Sequence, residues 1–449
     1  MRRTQAEDHH AEGPLLVARP VPRSAPAGLP RPEGGVPDEE TDVPSYAAQA
    51  PLPAGIGDAR AVDRDVSAAV GRVLDHVLAD RVARARAADP LFGEDLAARV
   101  AHFTQAGGKR IRPHFVWWTL RACGGGDGPP VAAALRVGAA LELLQTCALV
   151  HDDVMDGSAL RRGRPSLHVA VAARYGDAAP PARAEHLGGG AAILAGDLAL
   201  AWADDLLAET PLAPRAARAV RRLWADMRTE MVAGQYLDLH GQATGSRSLP
   251  RALRAACLKS ALYSVERPIA LGAVLAGADD ATTEALCSAG RCAGLAFQLR
   301  DDLNDVFGDP RRTGKPAGGD IREGKPTYLV ALARARAEAA GDRRALQVLE
   351  RSLGDGALTR AGLEEVREVL TGTGARDTVE TRITRLVAQG LRHADRALLD
   401  PDGGRRLRLL LASAADEPAP GPDDGPGDAR QARAGTLPPF AGGAEEAGR

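Results

Sequence analysis

The chain has 449 residues, 45% hydrophobic and 26% charged, with a formal net charge of −2, which fits a soluble globular protein with room for a large core. That balance, with aromatics at only 3% and no basic stripe interleaved with them, excludes a nucleic-acid binder. Cys123, Cys147, Cys257, Cys287 and Cys292 are odd in number and lack metal-ligand spacing, so reduced thiols and a cytoplasmic location are expected.

In chain order, residues 1–60 are rich in Pro, Ala and Gly without periodicity and read as a disordered tail. The N-terminus has no apolar leader core, and no stretch reaches the ~18 uninterrupted apolar residues of a membrane span. Apolar residues then recur at three- and four-residue spacing over 66–87, 130–155, 190–208, 215–240, 250–273, 280–306, 324–340 and 375–399, which predicts helices. The breaks carry Gly or Pro, as in "CGGGDGPP" and "GDPRRTGKPAGGD". Strand-like alternation is scarce and no fixed-period repeat appears. Residues 61–412 are therefore expected to form one all-α domain, a large helical bundle around a central cavity, and the rest from 413 a second disordered tail. The segments 137–150 and 191–203 are apolar nearly all round, so they belong inside the bundle.

Against that interior setting, "HDDVMD" places Asp152, Asp153 and Asp156 at the end of an apolar helix. "RDDLND" repeats the spacing with Asp301, Asp302 and Asp305. Positions i and i+4 share a helix face about 6 Å apart, so each cluster offers two carboxylates on one side. Left alone they repel. Two such helix ends facing one another make a set of hard oxygen ligands for Mg²⁺, which keeps water and bridges to substrate phosphates. A single D-D-x-x-D also fits a solvated helix end, as "DDATTE" (279–284) does.

Basic residues sharpen the reading. Lys and Arg total 57, yet lysine occurs only at Lys109, Lys259, Lys315 and Lys325, each beside glycine or a hydroxyl. A compact ammonium kept where arginine is the habitual cation suits phosphate. Arg161, Arg162 and Arg164 follow the first cluster; Arg311, Arg312 and Arg322 follow the second; Arg110 and Arg112 flank Lys109 in "AGGKRIRP".

The order GGKRIRP, DDVMD with RRG, GD (196–197), GQ (234–235), KS, FQLRDDLND and GKPAGGD resembles the trans-isoprenyl diphosphate synthases, the polyprenyl synthetase family, over about residues 70–400. The resemblance implies the isoprenoid synthase type of helical bundle. It implies that Asp152, Asp153, Asp156, Asp301 and Asp305, with Asp302 in support, hold Mg²⁺ ions, three per site, on an allylic diphosphate. Arg161, Lys259, Lys315 and Lys325 would grip that diphosphate. Lys109, Arg112, Arg162 and Gln145 would bind isopentenyl diphosphate, and Ser260 and Gln298 would face the reacting carbons. Ser260 stands where the family more often has threonine. The family's chemistry is departure of pyrophosphate, attack of the isopentenyl double bond on the allylic cation, and loss of a proton to the released pyrophosphate. His151 is assigned to packing.

The product tail should run back along the first-cluster helix. Cys147 and Ala148 are small where short-chain relatives carry aromatic residues, and Leu144, about 12 Å from Asp152, is the expected limit. Geranylgeranyl diphosphate is the expected product, with farnesyl or longer prenyl diphosphates as alternatives. Relatives are usually homodimers. A non-catalytic subunit would have lost an aspartate cluster or the lysines, and a class I terpene cyclase would lack GGKRIRP and a second DDxxD; neither fits.

Overall fold

The computed structural model describes residues 58–126, 128–246, 248–313 and 316–413, which lie in one compact unit. The expected tails and Lys315 fall almost wholly outside the described residues. The first helix, Ala59–Arg64, takes in two residues that the sequence assigned to the N-terminal tail. Asp63 fixes it by accepting from Trp117 Nε1 at 2.9 Å and from Arg121.

The architecture is all-α, as expected. Its centre is the helix Pro129–Met155, opened by a proline in its first turn and buried on nearly every side. By length and hydropathy it could cross a membrane, but 83% of its most apolar window is buried in the protein, so it is a core helix. It packs along Pro181–Ala208, whose buried Ala192, Ala195, Gly196, Ala199 and Ala203 form a seam of small residues that brings the two backbones together.

The predicted helix over 250–273 is a continuous helical run with a defect. Leu249–Ala256 passes into a π-helical stretch, Cys257–Glu266, and then into Arg267–Ala276. The widened turns shift the register of the side chains they carry, Lys259 and Ser260 among them. Against this stretch lies Asp280–Phe307, N-capped by Asp279, which accepts from Thr282 N. "DDATTE" is therefore a helix start. A second core cluster, including Leu303, Val306, Leu329, Val366 and Ile383, ties the C-terminal helices to the far half of Asp280–Phe307.

Periodicity did not reveal Ile111–Ala122. Its sequence, IRPHFVWWTLRA, is rich in aromatic and β-branched residues, and burial of eight of its twelve residues overrides that weak propensity. A hairpin of two-residue strands, Leu160–Arg161 and Arg164–Pro165, was also unforeseen. Its turn uses Arg162 and Gly163, both at positive φ (54° and 72°).

Gly294 is where Asp280–Phe307 meets the π stretch: a Cβ there would lie 2.6 Å from the Ala261 carbonyl oxygen. Gly294→Ala should therefore cost about 1–3 kcal/mol in thermal or urea unfolding; an unchanged midpoint would contradict this packing.

Candidate active site

Both aspartate clusters line one cavity of about 1140 Å³. The first closes Pro129–Met155 and the second occupies the last turns of Asp280–Phe307. Asp152, Asp156, Asp301, Asp302 and Asp305 are in the wall. Asp153 stands behind it. Its side chain is fully buried and accepts from Arg161, with Nε at 2.8 Å and Nη2 closer still. Arg161 itself reaches the cavity, 3.7 Å from Asp152 Oδ2.

Two lysines sit between the acids. Lys259 Nζ lies 3.2 Å from Asp152 Oδ1 and 3.1 Å from Asp238 Oδ2. Gln235 Nε2 donates to the same Asp152 oxygen at 2.9 Å. The glycine of the GQ pair has a mechanical role, since a Cβ on Gly234 would fall 2.4 Å from the Lys259 backbone nitrogen. Only glycine lets the two helices approach closely enough for Gln235 and Lys259 to share Asp152. The GD pair works similarly: a Cβ on Gly196 would meet the His151 ring at 2.1 Å. His151 Nε2 donates to the Ile193 carbonyl at 3.0 Å, which gives it a structural partner.

Lys325 links the two sides. Its Nζ is 3.0 Å from Asp156 of the first cluster and 3.7 Å from Asp320, whose backbone N–H donates to Asp305 Oδ2 of the second at 3.0 Å. Asp305 thus communicates with Asp156 through Lys325 and Asp320.

The charges are unevenly balanced. Burial raises Asp152, but Lys259, Lys325 and Arg161 outweigh it and hold its carboxyl below the usual range. Burial keeps Lys325 from ionising easily, yet Asp320, Asp156 and Glu323 more than offset this and hold its ammonium charged. Burial pushes Asp302 up to about 7, against a 2.7 Å hydrogen bond from Gln298 and with repulsion from Asp301, Asp238 and Asp305. Asp305 and Asp320 are raised by burial and by their acidic neighbours. The second cluster is therefore short of positive charge.

A separate arginine-rich corner lies alongside. Arg110 and Arg162 are the two non-glycine residues at positive φ among the described residues, and both belong to the arginine turns GGKRIRP and RRG. Arg162 leans over the Phe103 ring and against Gly108. Arg112 stacks 4.2 Å over Tyr263 and donates to Ser264 Oγ at 2.7 Å. Arg112 Nε, Gln145 Oε1 and Tyr263 Oη are buried without a hydrogen-bond partner. All three residues line the cavity, and with Arg162 also in its wall this corner is fit for an anionic, hydrogen-bonding group.

Other expected residues divide as follows. Ser260, Gln298, Cys147 and Ala148 are in the cavity wall. Leu144 is fully buried behind the wall, and Lys109 is exposed and outside it. Arg311 is engaged with Asp309 on the surface. Sequence reading missed Asp238, Asp320, Tyr263 and Ser264. Asp238 had a legible signal, lying one helical turn after Gln235. Tyr263 and Ser264 reach the corner through the π register, which spacing does not reveal.

A divalent cation fits the donor set. Asp152, Asp156, Asp301 and Asp305 offer hard oxygens, and burial of Asp302 and Asp305 leaves an uncompensated deficit. Among the described residues no three side chains close into a ready-made metal cage. The carboxylate oxygens themselves suit an ion completed by water and phosphate oxygens.

The Polyprenyl synthetase family profile matches residues 94–366. The chain is 31% identical over 320 residues to a geranylfarnesyl diphosphate synthase of Aeropyrum pernix, covering 70% of this chain and 92% of that one. It is 39% identical over 242 residues to a geranylgeranyl diphosphate synthase of Mycobacterium tuberculosis, covering 53% and 62%. A geranylgeranyl pyrophosphate synthase from Corynebacterium glutamicum, solved with isoprenyl diphosphate and magnesium, superposes with TM-score 0.72 at 36% identity over 78% of this chain and 98% of that one. With the profile spanning both aspartate clusters, this chain belongs to the polyprenyl synthetase family of trans-prenyl diphosphate synthases.

Proposed function

We propose that the chain is a Mg²⁺-dependent prenyltransferase that joins isopentenyl diphosphate head to tail with allylic diphosphates and releases geranylgeranyl diphosphate. The observation that carries this reading is a shared cavity: two acidic helix ends, the Lys259 and Lys325 ammoniums, and an apolar extension past Cys147 and Ala148.

Asp152, Asp156, Asp301 and Asp305 would hold Mg²⁺, three ions per site as the resemblance implies, and the metal would supply positive charge to a departing pyrophosphate. Lys259, Lys325 and Arg161 bind the allylic diphosphate and neutralise it as its C–O bond breaks. Asp153 keeps Arg161 in place from behind. Arg112, Arg162 and Gln145 take the diphosphate of isopentenyl diphosphate in the corner with partnerless polar atoms, and the resemblance adds Lys109 to that group and Lys315 to the allylic diphosphate. Ser260 and Gln298 orient the reacting carbons, where an apolar wall including Phe297 excludes water. The double bond attacks the allylic cation, and the proton then leaves to pyrophosphate. Exposed Leu187, Ile193 and Leu194 form an apolar stripe on Pro181–Ala208 and support a homodimer.

The relatives differ in product, C20 and C25 by name. The C20 reading rests on the small Cys147 and Ala148. Incubation with isopentenyl diphosphate, Mg²⁺ and C5, C10 or C15 primers should give mainly C20, and Ala148→Phe should shorten it; termination at C10 in the parent would overturn the reading. Chelation should abolish turnover and Mg²⁺ restore it. The double variant Asp152→Ala, Asp301→Ala should lose on the order of 10³-fold in kcat/KM, and full activity would refute the metal role. Stability should separate the acids: Asp153→Ala costs about 1–3 kcal/mol because it removes the buried acceptor of Arg161, whereas exposed Asp301→Ala stays within about 0.5 kcal/mol. Equal unfolding midpoints would contradict that division.

A further inference from the structure

Leu144 does not touch the cavity, so something else must end it. Past Cys147 and Ala148 the wall is made by Leu200, Met231 and one charged side chain, Arg228. Its depth follows from two independent helices. On one, Gln235 touches Asp152, and Arg228 lies seven residues before it, about 10 Å along the axis. On the other, Gly196 abuts His151, and Asp204 lies about eight residues farther on, about 12 Å deeper. At that depth Arg228 Nη1 is bonded to Asp204 Oδ2. Trp224 Nε1 holds the other Asp204 oxygen at 2.7 Å. The pair bridges the two helices that flank the cavity and remains about one-third exposed (34% and 39%).

We infer that the Arg228–Asp204 pair is the floor of the product cavity and sets where chain growth stops; this rests on the prenyltransferase reading above. The mechanism is a solvation barrier more than a steric one. Arg228 Nε is already buried without a partner, and the guanidinium keeps its remaining hydration through its exposed third. A hydrocarbon terminus pressed against it would strip that water and supply no acceptor, so each further C5 addition meets a desolvation cost. The growing chain then leaves as product. Asp204, fixed by Trp224, is a positioning residue that stops the guanidinium from swinging away.

The test separates charge from size. Arg228→Met keeps length without charge, and Arg228→Lys keeps charge. With C15 primer and excess isopentenyl diphosphate, Arg228→Met should raise the ratio of the next-longer product to the parent product on the order of tenfold. Arg228→Lys should match the parent. Asp204→Asn, which retains an acceptor for Trp224, should broaden the distribution towards longer chains and serves if Arg228→Met does not fold. An unchanged distribution in Arg228→Met and Asp204→Asn, or equal lengthening in Met and Lys variants, overturns the proposal. A parent enzyme that makes no prenyl diphosphate sinks the underlying function and this inference with it, whereas a working parent with unaltered variants sinks this inference alone.

Discussion

Surplus negative charge around one cavity is the constraint on which the rest of this structure depends. Carboxylates from two helix ends meet there, and the basic side chains outweigh burial only at Asp152. Lys259, Lys325 and Arg161 hold Asp152 low, while burial and mutual repulsion lift Asp156, Asp302 and Asp305. A fold gains nothing in stability from such an arrangement. It is intelligible if the missing charge arrives with a metal-bound diphosphate, whose oxygens complete the cations and whose charge the lysines then share.

That constraint explains the backbone features around it. The π stretch turns Lys259 towards Asp152, and Gly234 lets its helix come close enough to share that carboxylate. Gly196 makes room for His151, which locks the helix seam beside the cavity. The left-handed Arg110 and Arg162 are strained conformations in arginine turns, and Arg162 lines the cavity with Arg112, Gln145 and Tyr263, which carry partnerless polar atoms. Strain and unsatisfied polarity thus concentrate where a charged substrate would relieve them.

How much of this the sequence revealed depended on the kind of signal. Long amphipathic or wholly apolar helices such as Pro129–Met155 were legible from periodicity, and the aspartate pairs from their i, i+4 spacing. Ile111–Ala122 was not, because its composition favours strand and only tertiary burial makes it helical. The hairpin holding Arg161 is too short to alternate. Depth was the least legible quantity. Residue counting placed Leu144 on the product wall, but its side chain points into the bundle, and Arg228 from another helix stands there instead. Counting along one helix gives height and not facing; the wall is set by how three helices pack.

Binding of inorganic pyrophosphate by titration calorimetry, with and without Mg²⁺, tests the central claim most directly. The account predicts micromolar or tighter binding that requires Mg²⁺ and vanishes when Asp301 is replaced by alanine. Equally tight binding in metal-free buffer, or undiminished Mg²⁺-dependent binding by that variant, would contradict it.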